Sequence, residues 1–532
     1  MPRPFRSIVR RLATRAALVA PLAVTIACAG ADASPKRGAL VDSRDTYDPR
    51  SLDPARSTDV PTGRAVSYLF EGLTRFAPDA RIEPALALDW STSADGRTWS
   101  FRLRPNVRFH DGQPFTARTV VASWQRVLDP ATKGGRGWPL YPILGARAFA
   151  DGRARTIAGL RTIGDSVLQV TLEEPLAIFP KLLAMPVTAI VPEKLPPDFA
   201  EHPVGTGPWR FVEWKHDDYL RFVKNTTYWG DAPQVDTLVA RIIPEPSTAV
   251  AEFEAGNVDL LYIPDAETRQ WQETDERKAL LQSAPALRLF YVAINTQKGP
   301  LADVRVRRAL SHAVDAAALQ KQLLGGRGRP AAGVIPPSLD GADTARRPYR
   351  FDPAESKRLL AEAGHPNGIT LELWHSQETT IARLAQALQG YLQQGGITVT
   401  LVQRESASLR EAARKGEADL VLKDWYADYP DAENFLFPLL HSSNAGVGGN
   451  VSFFKDRQYD SLVTAARGER DDAIRTALYR RADQLAFDQA PMLFLFFYSE
   501  VYAVQPWVKN WMAPTVFNGQ RMTAVSIDRT QR

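Results

Sequence analysis

Apolar positions recur along this chain at two periods, and the change from one to the other divides it into blocks. Residues 98–103 (TWSFRL) alternate apolar and polar at the two-residue period of a half-buried strand. They follow Asp95-Gly96, a hairpin-type turn pair. A second turn, His110-Asp111-Gly112, precedes residues 116–128, where apolar side chains return at helical spacing. Residues 168–172 (LQVTL) read as a strand, and Pro175-Leu176 opens a predicted helix through residue 183. Residues 204–262 are again strand-rich. There Gly205-Thr206-Gly207-Pro208 turns into residues 209–214, with further strands at 219–224 and 238–243 and a helix from Pro246-Ser247 to near Gly256.

The pattern changes after residue 287. Residues 287–295 (LRLFYVAIN) read as a buried strand and 304–324 as one amphipathic helix. Asp352 is a predicted N-cap, with Pro353 at the first helical position and Glu355 completing a capping box; Gly364 supplies the C′ stop. Strand 369–374, helix 379–394, strand 397–402, helix 408–414 and strand 418–422 then alternate strictly, the signature of a mostly parallel sheet. A helix at 471–487 and a long apolar strand at 492–504 (MLFLFFYSEVYAV) close the chain, and no internal repeat appears.

The last alternating strand delivers Trp425-Tyr426-Ala427-Asp428-Tyr429-Pro430-Asp431. In open α/β sheets ligands sit beyond the carboxyl ends of the strands, so Trp425 to Asp431 are expected on a loop at a binding crevice. No basic residue lies within that loop; Lys423 precedes the Trp. A Trp wall beside an unneutralised Asp suits a ligand carrying an ammonium group. An ordinary polar loop with one buried Trp fits the same residues.

Composition narrows the class. A chain of 532 residues exceeds one core and implies two to four domains, and 44% hydrophobic with 23% charged residues is the balance of a soluble globular protein. The formal net charge of +5 suggests nucleic acid until its location is considered. Arg3, Arg6, Arg10, Arg11 and Arg15 lie in residues 1–27 with no acid among them. Subtracting those five leaves residues 28–532 neutral, so no nucleic-acid partner is expected. An Arg-rich start followed by the apolar run 16–29 reads as a secretory signal peptide, residues 1–27, too short to span a bilayer. Residues 28–34 begin a small, polar tether. Cys28, after Thr25-Ile26-Ala27, looks like a bacterial lipobox cysteine that is lipidated and becomes residue one; a conventional cut after Ala29 or Ala33 is the alternative.

Cys28 is the single cysteine, so disulfides, thiol catalysis and structural zinc are excluded. The chain has no Walker A, H-E-x-x-H or G-x-S-x-G segment, and its seven histidines show no ligand spacing; His110 reads as a turn residue. Gly205-x-Gly207 lacks the third glycine and following helix of a dinucleotide fingerprint. No catalytic residue, metal or cofactor is expected.

Nine segments in order then carry a resemblance: SLDPA (51–55), LFEGLTRF (69–76), EPALALDW (83–90), DGRTWSFRLRPNVRFHDGQPFTA (95–117), VGTGPWRFVEW (204–214), YWGDAPQVD (228–236), DVRVRRALSHAVD (303–315), RFDPAESKRLLAEAG (350–364) and WYADYPDAENFL (425–436). From about Ser51 to Val508 the chain resembles the extracytoplasmic solute-binding proteins of bacterial ABC importers, the oligopeptide- and dipeptide-binding class of family 5. The resemblance implies a periplasmic-binding-type α/β fold, with two lobes joined by a hinge plus an additional α+β domain. Lobe I would be 35–70 with 190–288 and 498–532, the additional domain 71–189, and lobe II 289–497.

It also implies a monomeric periplasmic protein, probed by peptide ligands and docking on a membrane permease, with no enzymatic activity. Asp428 stands where relatives pair an aspartate with the peptide ammonium. Trp425 would line a side-chain pocket, and Tyr426, Tyr429 and Lys423 complete the candidate set. Three departures appear: Leu422 replaces an Arg that meets the peptide carboxylate, Tyr426 precludes a disulfide found in some relatives, and Ser406 replaces an aromatic pocket residue. Other ligands in the family are nickel chelates, haem, opines and oligosaccharides; a secreted hydrolase or a periplasmic chaperone are readings from other classes.

If Cys28 is lipidated, Cys28→Ala moves the protein to the soluble periplasmic fraction or leaves the signal uncut. Mass spectrometry of the wild-type N-terminus is the check, and an unmodified start at Gly30 or Ser34 overturns lipidation.

Overall fold

The structure, a computed structural model, describes residues 39–528 and 530. The signal segment, the tether and Cys28 lie outside the described residues. Ten strands form the frame: β1 (Ala39–Asp45), β2 (Trp209–Lys215), β3 (Tyr219–Lys224), β4 (Thr237–Ile242), β5 (Leu260–Tyr262), β6 (Leu281–Ile294), β7 (Ile369–Ser376), β8 (Ile397–Arg404), β9 (Leu420–Tyr426) and β10 (Met492–Val504). They lie in one sheet in the order β8-β7-β9-β6-β10-β5-β1-β4-β3-β2, with the short strand Arg329–Pro330 added on β10.

At one end β7 runs parallel to both β8 and β9, as the alternating pattern predicts. Its apolar faces are covered by helices such as Thr379–Gln394, and Phe290, Leu373, Leu388 and Leu420 belong to one buried cluster. At the other end β1 lies parallel to β4 and β5, while β2, β3 and β4 form an antiparallel meander. Leu40, Tyr68, Trp209 and Phe222 fill that core. Only β6 and β10 belong to both ends. They pair antiparallel from Leu281↔Ala503 to Ala293↔Met492, with register breaks between Pro285 and Leu289 and between Phe290 and Tyr291. Pro285 has no N–H to give the ladder, which accounts for the first break falling there.

A separate antiparallel sheet holds Ala87–Thr92, Thr98–Leu103, Val167–Thr171 and Leu160–Ile163 in that order. Its Trp99 and Phe101 pack with Trp124 of helix Ala117–Leu128. The same buried cluster continues into Phe435, Tyr459 and Tyr479, so this module seats against the segment after β9.

Several elements depart from their sequence expectation. The helix expected over 175–183 is only Phe179–Leu182, because Pro180 lacks an N–H and is tolerated only in a first turn. The helix expected over 304–324 is two, Val304–His312 and Ala316–Leu323. The Asp315 carboxylate accepts from the Ala318 N–H at 2.9 Å and starts the second. Asp352 caps its helix by accepting from Glu355 N–H at 3.1 Å, but Glu355 turns to Arg358 (2.6 Å) and does not close a capping box. Gly364, at φ 90°, is the expected stop.

His110 and the Gly205–Gly207 turn clasp each other. His110 Nε2 donates to Gly207 O at 3.0 Å, Nδ1 accepts from Gly205 N–H at 3.2 Å, and His110 N–H donates to Gly205 O at 2.8 Å. Both glycines press on the end of helix Val60–Leu69: a Cβ on Gly205 would sit 1.9 Å from Leu69 O. Burial lowers the His110 pKa from 6.5 to about 4, and its accepting Nδ1 suits the neutral ring. The unfolded chain therefore binds this proton first as pH falls. The stability His110 contributes is complete above about pH 6.5 and is lost between 6.5 and about 4, with a limiting slope of about 1.4 kcal/mol per pH unit. His110→Gln is expected to be less stable at neutral pH and to lose less on acidification across that window. Urea midpoints measured from pH 7.5 to 4.5 test this; parallel pH profiles for the two proteins would contradict it.

Candidate functional site

The strand β9 is longer than expected. All of it, from Leu420↔Ile294 to Tyr426↔Arg288, pairs with β6. Trp425 is therefore a strand residue and not part of the loop, which is a correction to the sequence reading. Alternation along the strand sends its side chains to two faces. Asp424 and Tyr426 meet partners on one: Arg288 Nε donates to Asp424 at 2.7 Å, and the Tyr426 hydroxyl to Glu500 at 3.2 Å. Lys423 and Trp425 line a cavity of about 910 Å³ on the other. The strand β7 stops pairing with β9 after Trp374↔Val421, so the β9 edge from Leu422 to Tyr426 carries no strand partner on that side.

The loop after β9 is held from within and from the separate module. Asp428 N–H donates to Asn434 Oδ1 at 2.8 Å, and Glu433 N–H to Asp431 Oδ1 at 2.9 Å. Lys181 of the module reaches across to Asp431 at 2.6 Å and to Pro430 O at 3.1 Å. The cavity lies along this junction. Its other wall comes from residues 138–182, including Trp138, Tyr141, Leu176 and Leu182. Trp138 and Tyr429 rings lie 6.1 Å apart.

Asp428 lines the cavity but is not the lone carboxylate the sequence suggests. Arg136 Nη2 donates to its Oδ1 in an ion pair spanning 292 residues. Burial still holds the Asp428 pKa above its ordinary value, and the opposing pull of Arg136 does not cancel that effect. Lys423 is displaced downward, chiefly by burial; Asp424 opposes the shift, while Arg414 and Arg410 add to it. The Tyr429 hydroxyl donates to Glu433, which also pairs with Arg467 at 2.7 Å; burial keeps the phenol well above its usual range. The indole N–H of Trp425 is buried without a hydrogen-bond partner.

Asp428, Trp425, Tyr429 and Lys423 are thus brought to one cavity. Tyr426 is not: it faces away from that cavity toward Glu500. Ser406 is the first residue of helix Ser406–Arg414 and does not line the cavity. Arg136 was missed. Its local signal is Lys133-Gly134-Gly135-Arg136-Gly137, a glycine-rich loop carrying two cations, but nothing local connects that loop to Asp428. Among the described residues no group of three or more His, Cys, Asp or Glu is placed to hold a metal ion. None of the described helices is long and apolar enough to cross a membrane.

Comparison with known proteins agrees with this architecture. Residues 81–447 match the family described as bacterial extracellular solute-binding proteins, family 5 middle. A heme-binding protein A of Haemophilus influenzae is 32% identical over 438 residues, covering 77% of this chain and 78% of its own. A di/tripeptide-binding protein 2 of Pseudomonas aeruginosa is 32% identical over 467 residues, covering 84% and 87%. Among solved structures, the unliganded open form of the periplasmic murein tripeptide-binding protein MppA superposes with a TM-score of 0.82 at 28% identity, over 94% of this chain and 99% of that one. The fold is accordingly of the periplasmic-binding type, two α/β lobes and an additional α+β domain, and the chain belongs to the family 5 bacterial extracellular solute-binding proteins.

Proposed function

We propose that this protein is the extracytoplasmic solute-binding subunit of an ABC importer, and that it captures short peptides and delivers them to a membrane permease. It acts as a monomeric periplasmic carrier, not as an enzyme, held at the membrane through Cys28. Lobe I (35–70, 190–288, 498–532) and lobe II (289–497) move about the two strands β6 and β10, with residues 71–189 as the additional domain.

The observation that carries the reading is Asp428. Its Oδ1 accepts from Arg136, and no hydrogen bond to its Oδ2 is recorded from any described residue. A carboxylate has about four acceptor sites, so a second cation can be added. The raised pKa shows that the buried charge is incompletely compensated, and a ligand ammonium supplies what is missing. The unpartnered edge of Leu422–Tyr426 supports sheet-like hydrogen bonds to an extended backbone, which give affinity without side-chain selection. A cavity of about 910 Å³ is of a size to enclose a small ligand or short peptide.

Calorimetry with trialanine and its N-acetyl derivative tests the assignment. Asp428→Asn keeps the side-chain size but removes the charge, and breaking such a buried pair costs about 3–5 kcal/mol, or roughly two to three and a half decades of affinity. N-acetyl-trialanine is expected to bind wild type poorly and to lose little more in the variant. Equal binding of both peptides by wild type would make Asp428 a structural partner of Arg136 and nothing more.

A further inference from the structure

The charge on the β9 side of the cavity is unbalanced. Arg410 and Arg414 are one turn apart on helix Ser406–Arg414, so both leave the same face, and both line the cavity. Lys423 joins them from β9. Neither an ion pair nor a side-chain hydrogen bond is recorded for any of the three with a described residue. Their helix neighbour Lys415 is, by contrast, matched to Glu411 at 2.7 Å.

The acids of the cavity do not answer this charge. Asp428 is paired with Arg136 and Glu433 with Arg467. Glu173 and Glu174 stand on the wall contributed by the additional domain, where Glu173 accepts from Gly145 N–H at 3.0 Å. The wall with Arg410, Arg414 and Lys423 also holds the buried, unpartnered indole N–H of Trp425. The three cationic side chains donate and none accepts.

We propose that Arg410, Arg414 and Lys423, with Trp425, form an anion subsite, and that the preferred ligand is a peptide carrying a side-chain carboxylate in addition to its terminal one. One guanidinium suffices for a terminal carboxylate, which it grips with two parallel hydrogen bonds. The second guanidinium and the ammonium remain for another anionic group, and acidic peptides supply it. This inference rests on the reading that the cavity takes peptides.

The probes are Ala-Ala-Glu and Ala-Ala-Gln, nearly equal in shape and differing by one charge, titrated into the full exported protein. Wild type is expected to bind Ala-Ala-Glu about tenfold or more tightly, with a preference that shrinks as salt is added. In the double variant Arg410→Gln/Arg414→Gln the ratio between the two peptides is expected to fall toward one, and Lys423→Met is expected to reduce it independently. Equal affinities in wild type, or a preference that survives in the double variant, overturn the anion subsite while leaving peptide capture standing. Failure of both peptides to bind wild type removes the peptide reading and this inference with it.

Discussion

The antiparallel pairing of β6 with β10 is the constraint on which the rest depends. Every other strand of the large sheet belongs to one end or the other, and these two alone run through both. Their pairing fixes β9 in place, because β9 is hydrogen-bonded to the second half of β6 along its whole length. It fixes β5 as well, which pairs with the last residues of β10. The register breaks around Pro285–Tyr291 sit where the pairing passes from one end to the other. A ladder interrupted there has fewer hydrogen bonds to distort, which suits the hinge of the proposed lobe movement.

The binding cavity inherits its electrostatics from that frame. The alternation of β9 turns Lys423 and Trp425 one way and Asp424 and Tyr426 the other, so a single strand separates a cavity-facing surface from a self-satisfied one. Asp424 and Tyr426 find Arg288 and Glu500 inside the protein. Lys423 has no such partner among the described residues, and burial lowers its pKa. Groups whose charged forms are disfavoured in the free protein are those that gain most when an opposite charge arrives. Asp428 and Lys423 meet that description with opposite signs in one cavity, an arrangement complementary to a zwitterion.

Much of this was legible in the sequence, and the limits have physical causes. The helix Thr379–Gln394 and the strand Met492–Val504 have the bounds that their periodicity indicates, since each is long and its apolar pattern has one interpretation. The end of β9 was not legible. Nothing between Leu422 and Tyr426 shows that Arg288 and Leu289, far away in the chain, extend the ladder that far. The break at Asp315 is a local event visible in hindsight, where a capping carboxylate overrides a continuous amphipathic stripe. At the site, the family segment groups Asp428, Trp425, Lys423 and Tyr429, which are close in sequence, and the structure brings these four to one cavity. Arg136 escaped because it is joined to Asp428 only by tertiary packing. Tyr426 is adjacent to Trp425 along the chain but not in space, since neighbouring residues in a strand face apart.

The position of Arg136 has a further consequence for how the lobes and the additional module work together. Three of the contacts that tie that module to the segment around the loop after β9 are Arg136 with Asp428, Lys181 with Asp431, and Ala177 N–H with Arg467 O at 2.9 Å. Two of the three end on side chains of the loop that follows β9. On the proposed reading, an ammonium at Asp428 would share a carboxylate with the additional module, and the two cations would repel across it. If the ligand displaces Arg136, the module loses a tether; if it adds to Arg136, the carboxylate becomes the common anchor of ligand and module. Either way, the proposed occupancy of the cavity would be linked to the seating of the additional module through one side chain. Linkage of this kind is reciprocal: whatever strengthens the Arg136–Asp428 contact changes ligand affinity by the same free energy by which the ligand changes that contact.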